Sequence, residues 1–158
     1  AVASAGPDAR DAAPERAVES FRAAWQAYAA EANEGPLQDG CAAAFEPARG
    51  RRRGAVLALH GFGGCPQQFS GLAPLLAAAG FDVVMPRLPG HGRPPRPDGR
   101  DDLTGLPTAA DWGPAYDGFV TTLGALMEHS PDERVIIGFS AGGGLALRAV
   151  AQRPALYS

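Results

Sequence analysis

No lysine occurs in the 158 residues; all 14 basic residues are arginine. Schiff-base chemistry and the lysine of a phosphate-binding P-loop are therefore excluded within the chain. No apolar run approaches the ~18 residues that a membrane-spanning helix needs. Two cysteines, Cys41 and Cys65, are too few for a disulfide scaffold. One bridge is open to them in an oxidising compartment, and two buried thiols are the favoured expectation. Basic charge is also short, with 14 positive against 17 acidic residues and a net charge of -3. This mild acidity gives no reason to expect a nucleic-acid partner. The last absence is local: from Ala141 to Ser158 there is no Asp, Glu or His.

What is present is the composition of a globular domain with a sizeable core, at 46% hydrophobic and 20% charged residues. The chain begins at Ala1 rather than Met, so a processed or excerpted protein is expected. Ala1–Gly6 is similar to the small-residue region of a signal-peptidase site, but no apolar run precedes it; export is one reading and the compartment stays open. Residues 1–13 are small and polar, and a flexible segment is expected there. Pro14, then Val18, Phe21, Trp25, Tyr28 and Ala32 at helical spacing predict a helix over 14–33, stopped by Gly35-Pro36. Residues 41–46 read as a weak strand. The arginines at 49, 51, 52 and 53 mark a solvated hairpin tip, with an anion-binding patch as the alternative.

Three strand–helix pairs follow. Ala55–Leu59, Phe81–Met85 and Val135–Ile137 are continuous apolar runs, as strands covered on both faces require. A helical stretch from Pro66 to Ala79 turns Phe69, Leu72, Leu75, Leu76 and Ala79 inward. Its Pro74 predicts an irregular turn before a start near Ala73, and Gly80 closes it. Residues 86–110 form a long loop with six prolines, of the kind that is usually functional or mobile. Asp111 is placed to cap a helix running to His129, and a last helix covers Ala141–Arg153. Alternating strands and helices predict an α/β fold, a parallel sheet with helices on both faces.

Two glycine-rich turns carry the chemistry. Gly138-Phe139-Ser140-Ala141-Gly142 fits G-x-S-x-G between an apolar strand and a helix, the setting in which a serine stands on a strained turn as a nucleophile. Bulky residues two positions either side would collide with that turn, hence Gly138 and Gly142. The helix that starts at Ala141 aims free N–H groups and its positive dipole end at the reacting centre. The second turn, His60-Gly61-Phe62-Gly63-Gly64, ends another buried strand and can offer a backbone N–H to a developing oxyanion. A dinucleotide-binding fingerprint is excluded there, because position 66, where its third glycine belongs, is Pro.

Four segments together resemble the α/β-hydrolase superfamily, nearest to its monoacylglycerol-lipase and carboxylesterase branch: Val56–Gly63, Leu75–Phe81, Pro86–Gly92 and Val135–Gly143. The resemblance runs from about residue 54 to 153, in the family's order, and matches only the N-terminal half of such a serine esterase or lipase. It implies a truncated α/β-hydrolase fold over residues 14–158. It also implies Ser140 as nucleophile and the N–H groups of Phe62 and Ala141 as the oxyanion hole. Gly61, Gly63, Gly138 and Gly142 would shape the two turns. His60 and His91 match structural positions that hold loops, and His129 reads as a surface residue at a helix end. No cofactor and no metal are implied; the substrate would be a small-molecule ester.

One departure is large. In this family the acid and then the histidine follow the serine, and neither exists after Ser140 here. The parent protein is thus expected to be a carboxylic ester hydrolase working through an acyl-enzyme, with this chain inactive by itself. The rest of the domain would come from further chain or from a complementing polypeptide. The alternatives are a non-catalytic fragment or interaction module, or another chemistry on the same site: acyl transfer, thioester hydrolysis or peptide hydrolysis.

Overall fold

A computed structural model describes residues 12–100, 102–108 and 110–158. Residues 1–11, which hold most of the expected flexible segment and the signal-site resemblance, lie outside the described residues. Helix α1 spans Ala12–Ala32, strand β1 Ala44–Glu46 and strand β2 Gly54–Leu59. A single 3-10 turn at Pro66–Phe69 precedes α2 (Ala73–Ala78). Then come β3 (Phe81–Met85), α3 (Trp112–Glu128), β4 (Glu133–Gly138) and α4 (Ala141–Gln152).

The four strands form one sheet in the order β1-β3-β2-β4. β3, β2 and β4 run parallel, as expected from their strand–helix alternation, with Val56 opposite Val83 on one side and Val135 on the other. β1 joins the edge antiparallel, pairing Phe45 with Val84, so the sheet is mixed. The short link between β1 and β2 explains this, since a parallel crossover needs about a dozen residues or more.

Alternation along β2 builds two layers. Ala55, Leu57 and Leu59 face a core made with Phe21 and Trp25 of α1, Tyr116, Val120, Leu123 and Met127 of α3, and Leu145 of α4. Val56 and Ala58 face the other way, onto Phe69, Ala73, Val83 and Met85. Helices therefore cover both faces. The irregular turn before Ala73 is present, but the face of α2 differs from the one the periodicity suggests. Ala73 and Ala77 are the buried pair, while Leu72 and Leu75 are exposed, Leu75 by 68%. With only the stretch Ala73–Ala78 α-helical, small residues four apart set the close approach to the sheet and turn Leu75 outward, while Leu76 packs inward on the cluster of Phe69 as expected.

Three further expectations are corrected. Asp111 precedes α3 without any side-chain cap; its carboxylate instead accepts the hydroxyl of Thr108 at 2.6 Å. The arginine run at 49–53 is no hairpin tip, because β1 and β2 are not neighbours. Within it Arg52 is partly buried: its Nε donates to Asp82 at 2.8 Å, its Nη2 to Ser130 Oγ at 3.0 Å, and its Nη1 pairs with Asp132. Finally, Cys41 and Cys65 are not free thiols but a disulfide, with Cα atoms 4.7 Å apart.

Asp82 is the centre of the end of the sheet away from the serine. It is fully buried, and it accepts from Arg22 Nη2 at 2.7 Å, from the Ala48 N–H at 2.8 Å and from Arg52. Burial alone would raise its pKa, but the hydrogen bonds from Arg22, Ala48 and Arg52 outweigh that and hold the carboxyl below the usual carboxylate range. This network fastens α1 to β3 and to the approach to β4.

Candidate active site

The C-terminal ends of β2 and β4 lie side by side, with Leu59 opposite Gly138. Each strand runs straight into a glycine-rich turn, so the two turns flagged in the sequence meet. The Phe139 N–H donates to the Leu59 carbonyl at 3.0 Å, extending the ladder one step into the serine turn.

Ser140 stands at the apex with φ 53 and ψ −118, and no other non-glycine residue among those described has a positive φ. Such a conformation costs on the order of 1–3 kcal/mol and persists only where the surroundings enforce it. Here the enforcing contacts are backbone. A Cβ on Gly138 would fall 2.2 Å from the Gly142 carbonyl oxygen, and a Cβ on Gly142 2.1 Å from that of Leu59. Neither position admits a side chain. The Ser140 side chain is exposed. Its carbonyl accepts the Gly143 N–H at 2.9 Å and the Phe139 carbonyl accepts that of Gly142, which leaves the Ala141 N–H without an acceptor among the described residues.

The facing turn is within touching distance. A Cβ on Gly61 would lie 3.2 Å from Ser140 Cβ and 3.1 Å from the Phe139 ring. The Gly61 N–H donates to Gln68 Oε1 at 2.8 Å, and the Gly64 N–H closes the turn on the Gly61 carbonyl at 3.0 Å. Gly63 takes φ 69, a left-handed conformation that glycine adopts without penalty. The Phe62 N–H meets no acceptor among the described residues. Thus Phe62 and Ala141, the two residues singled out as donors, both carry unpaired N–H groups on adjoining turns.

His60 is fully buried and both its ring nitrogens are engaged. Nδ1 donates to the Gly61 carbonyl at 2.9 Å, while Nε2 accepts the Leu88 N–H at 3.0 Å. Those bonds require the neutral ring. Burial pushes its pKa down to about 4, the Gly61 bond opposing and the neighbouring His91 and Arg87 assisting. His60 therefore ties the Gly-rich turn to the loop after β3. His91 is also buried; its Nδ1 bonds the Pro89 carbonyl at 3.1 Å, and its ring packs edge-on against His60 and Phe62. Burial depresses its pKa too. His129 is exposed at the end of α3. Gln68 and Leu88 shape the site without having been singled out in the sequence. Their contributions are a side-chain amide and a main-chain N–H, neither of which carries a motif.

Among the described residues, no helix is long and apolar enough to cross a membrane, and no group of three or more His, Cys, Asp or Glu could hold a metal ion.

A strand–serine–helix elbow beside a glycine-rich turn at the C-terminal ends of parallel strands defines a class of α/β protein. The family model for the alpha/beta hydrolase fold matches residues 54–156, and the chain belongs to that family. A pimeloyl-[acyl-carrier protein] methyl ester esterase of Aromatoleum aromaticum is 35% identical over 99 residues, 63% of this chain and 32% of that protein. Among solved structures, one described with LipS and LipT, two metagenome-derived lipolytic enzymes, aligns at TM-score 0.54 and 31% identity, over 77% of this chain and 44% of its own. The chain thus spans about a third of the curated relative and under half of the structural one.

Proposed function

We propose that this chain is the nucleophile-bearing part of a serine hydrolase that cleaves carboxylic esters through an acyl-enzyme. Ser140 Oγ adds to the ester carbonyl carbon as its proton passes to a histidine. The N–H groups of Phe62 and Ala141 receive the oxyanion. The alcohol leaves with that proton, and water then cleaves the acyl-serine by the same steps in reverse. The single observation that carries the reading is the strained Ser140, at φ 53, locked by Gly138 and Gly142 against a turn with an unpaired N–H. Phe62 and Phe139, 60% and 59% exposed on the two turns, favour an ester with apolar groups. The similarity to an esterase and to lipolytic enzymes supports the same class.

The histidine and its acid come from outside these residues, in further chain or a complementing polypeptide. None of the three histidines suits the role: His60 has both nitrogens occupied, His91 is buried against Pro89 and Phe62, and His129 lies at the far end of α3. Residues 14–158 would then be one portion of a single domain. In the full-length protein Ser140→Ala should abolish hydrolysis of p-nitrophenyl butyrate and labelling by a fluorophosphonate. Retention of either overturns the assignment.

A second reading, a non-catalytic interaction module, is favoured by one observation. β2 and β3 are buried throughout, whereas β4 is only half-buried along its length. Fluorophosphonate labelling separates the two: the 158 residues alone should label far more slowly than the full-length protein. Equal rates would remove the need for outside residues.

A further inference from the structure

The Gly-rich turn is held chiefly at its two ends and only lightly in its middle. At the front, Gly61 is fixed by His60 Nδ1 and by Gln68 Oε1. In the middle, the Phe62 side chain is exposed and Gly63 has open space where a Cβ would project. One edge-on ring contact, Phe62 against His91, is the packing on the stretch that aims the Phe62 N–H. At the rear stands Cys65, buried and bonded to the equally buried Cys41.

Cys41 belongs to a segment that is itself bonded on both sides. Its N–H donates to the Gln38 carbonyl, while the Gln38 N–H and Nε2 donate to the carbonyls of Gly92 and Arg93 at 2.9 and 2.7 Å. On the other side the Gln67 N–H reaches the Gly40 carbonyl at 3.1 Å. Gly92 lies so close to the bridge that a Cβ there would stand 2.7 Å from Cys41 Cβ. The disulfide therefore joins the rear of the turn to residues 38–41, and through them to the loop that starts after β3. The apolar anchors Pro66 and Phe69 hold the chain from below; the bridge is the covalent tie on the side of that loop, beside the Gln67–Gly40 hydrogen bond.

We propose that the Cys41–Cys65 disulfide is a positioning device for the oxyanion donor: it fixes the rear of the turn so that the Phe62 N–H points at the carbonyl carried on Ser140. This rests on the serine-hydrolase reading. Its effect belongs to the transition state, because an oxyanion donor misplaced by about 1 Å forfeits as much as 10²-fold in rate, while ground-state binding by the aromatic rim is untouched.

The test compares the full-length oxidised protein with its Cys41→Ser/Cys65→Ser double variant, counting active sites by complete fluorophosphonate titration. With p-nitrophenyl butyrate, kcat per titrated site should fall about 10- to 100-fold, with KM within about twofold. Affinity for phenylboronic acid, which becomes tetrahedral on the serine, should fall in parallel with kcat. A bridge that merely stabilises the fold would lower the number of titrated sites and leave kcat per site unchanged, and that result overturns the proposal. If the double variant fails to fold, the native bridge is reduced instead. Dithiothreitol gives it two electrons and two protons and closes to its own cyclic disulfide, and the same kcat and boronate comparison is made on the folded protein. A wild type that neither labels nor hydrolyses would fail at Ser140. A wild type that does both, and is indifferent to the bridge, fails at the bridge alone.

Discussion

Gly142 and Leu59 meet through backbone alone: a Cβ on Gly142 would lie 2.1 Å from the Leu59 carbonyl oxygen. This approach, more than any side-chain contact, sets the two glycine-rich turns against each other. Backbone on both sides cannot yield as a flexible side chain would, so Gly142→Ala must push α4 away from the end of β2. We expect a loss of about 1–3 kcal/mol, the range for overpacking, and a larger proportional loss of hydrolysis per labelled site. Gly144, two residues on in α4, has open space around its Cβ position. Gly144→Ala should therefore stabilise the protein by about 0.5–1 kcal/mol, as in an ordinary helix interior. Urea unfolding of both variants checks the contrast; equal destabilisation would mean that the close approach at Gly142 is not the cause.

How far this relationship was legible in the sequence depends on what kind of contact carried it. G-x-S-x-G announces its own backbone demands, so Ser140, Gly138 and Gly142 could be read directly, as could the facing turn at His60–Gly64. The direction of β1 could not, since a three-residue strand has no pattern that encodes its partner. Leu72 and Leu75 misled because leucines at helical spacing normally face a core, whereas the close packing of Ala73 and Ala77 decided the face of α2. Arg52 looked solvated as one of four neighbouring arginines, because its partner Asp82 sits 30 residues away inside an apolar run. The pairing of Cys41 with Cys65 required the fold, which brings two distant turns within bonding distance.

The hydrogen bonds of His60 predict an acid-sensitive fold. Its pKa is lowered to about 4 in the folded chain, against about 6.5 unfolded. Between these values the unfolded imidazole takes up a proton and the folded one does not. The contribution of His60 is thus complete above about pH 6.5 and is lost as pH falls toward 4, on the order of 3 kcal/mol in all. His91, also depressed by burial, adds to the same slope. Chemical denaturation between pH 7 and pH 4 should show stability falling with pH in the wild type and a shallower dependence in His60→Gln. Parallel curves would contradict the assignment.

Asp82 makes the opposite end of the sheet sensitive to one carboxylate. Asp82→Asn leaves Arg52, only 11% exposed, facing a neutral amide. Removing one partner of a buried pair typically costs about 3–5 kcal/mol. Arg22 is 37% exposed and keeps water in compensation, which places the expected loss near the lower figure. Arg22→Ala should cost only about 1 kcal/mol. Because the Asp82 pKa is held below its ordinary value, its contribution is present above the ordinary carboxylate range and disappears as acid protonates the folded group. The difference between wild type and Asp82→Asn, measured by thermal unfolding, should therefore shrink steadily at low pH. A difference independent of pH would assign the loss to shape rather than charge.

The open side of β4 yields the last prediction. The Phe139 N–H bonds toward β2, at the Leu59 carbonyl, whereas the Arg134 carbonyl is met from elsewhere, by the Ser158 N–H at 2.8 Å. Alternation along the strand then turns the Ile136 N–H and carbonyl outward beside Arg134. No strand among those described pairs with that edge, and Phe139 and Leu147 expose apolar surface close to it in the chain. An unpaired edge with half-buried Val135, Ile136 and Ile137 is a template for another strand. The 158 residues by themselves should therefore self-associate at micromolar concentration, whereas a longer protein in which a further strand covers the edge should not. Sedimentation velocity on both samples decides it. A monodisperse monomer that unfolds cooperatively would show that the edge is protected without further chain, and would weaken the interaction-module reading.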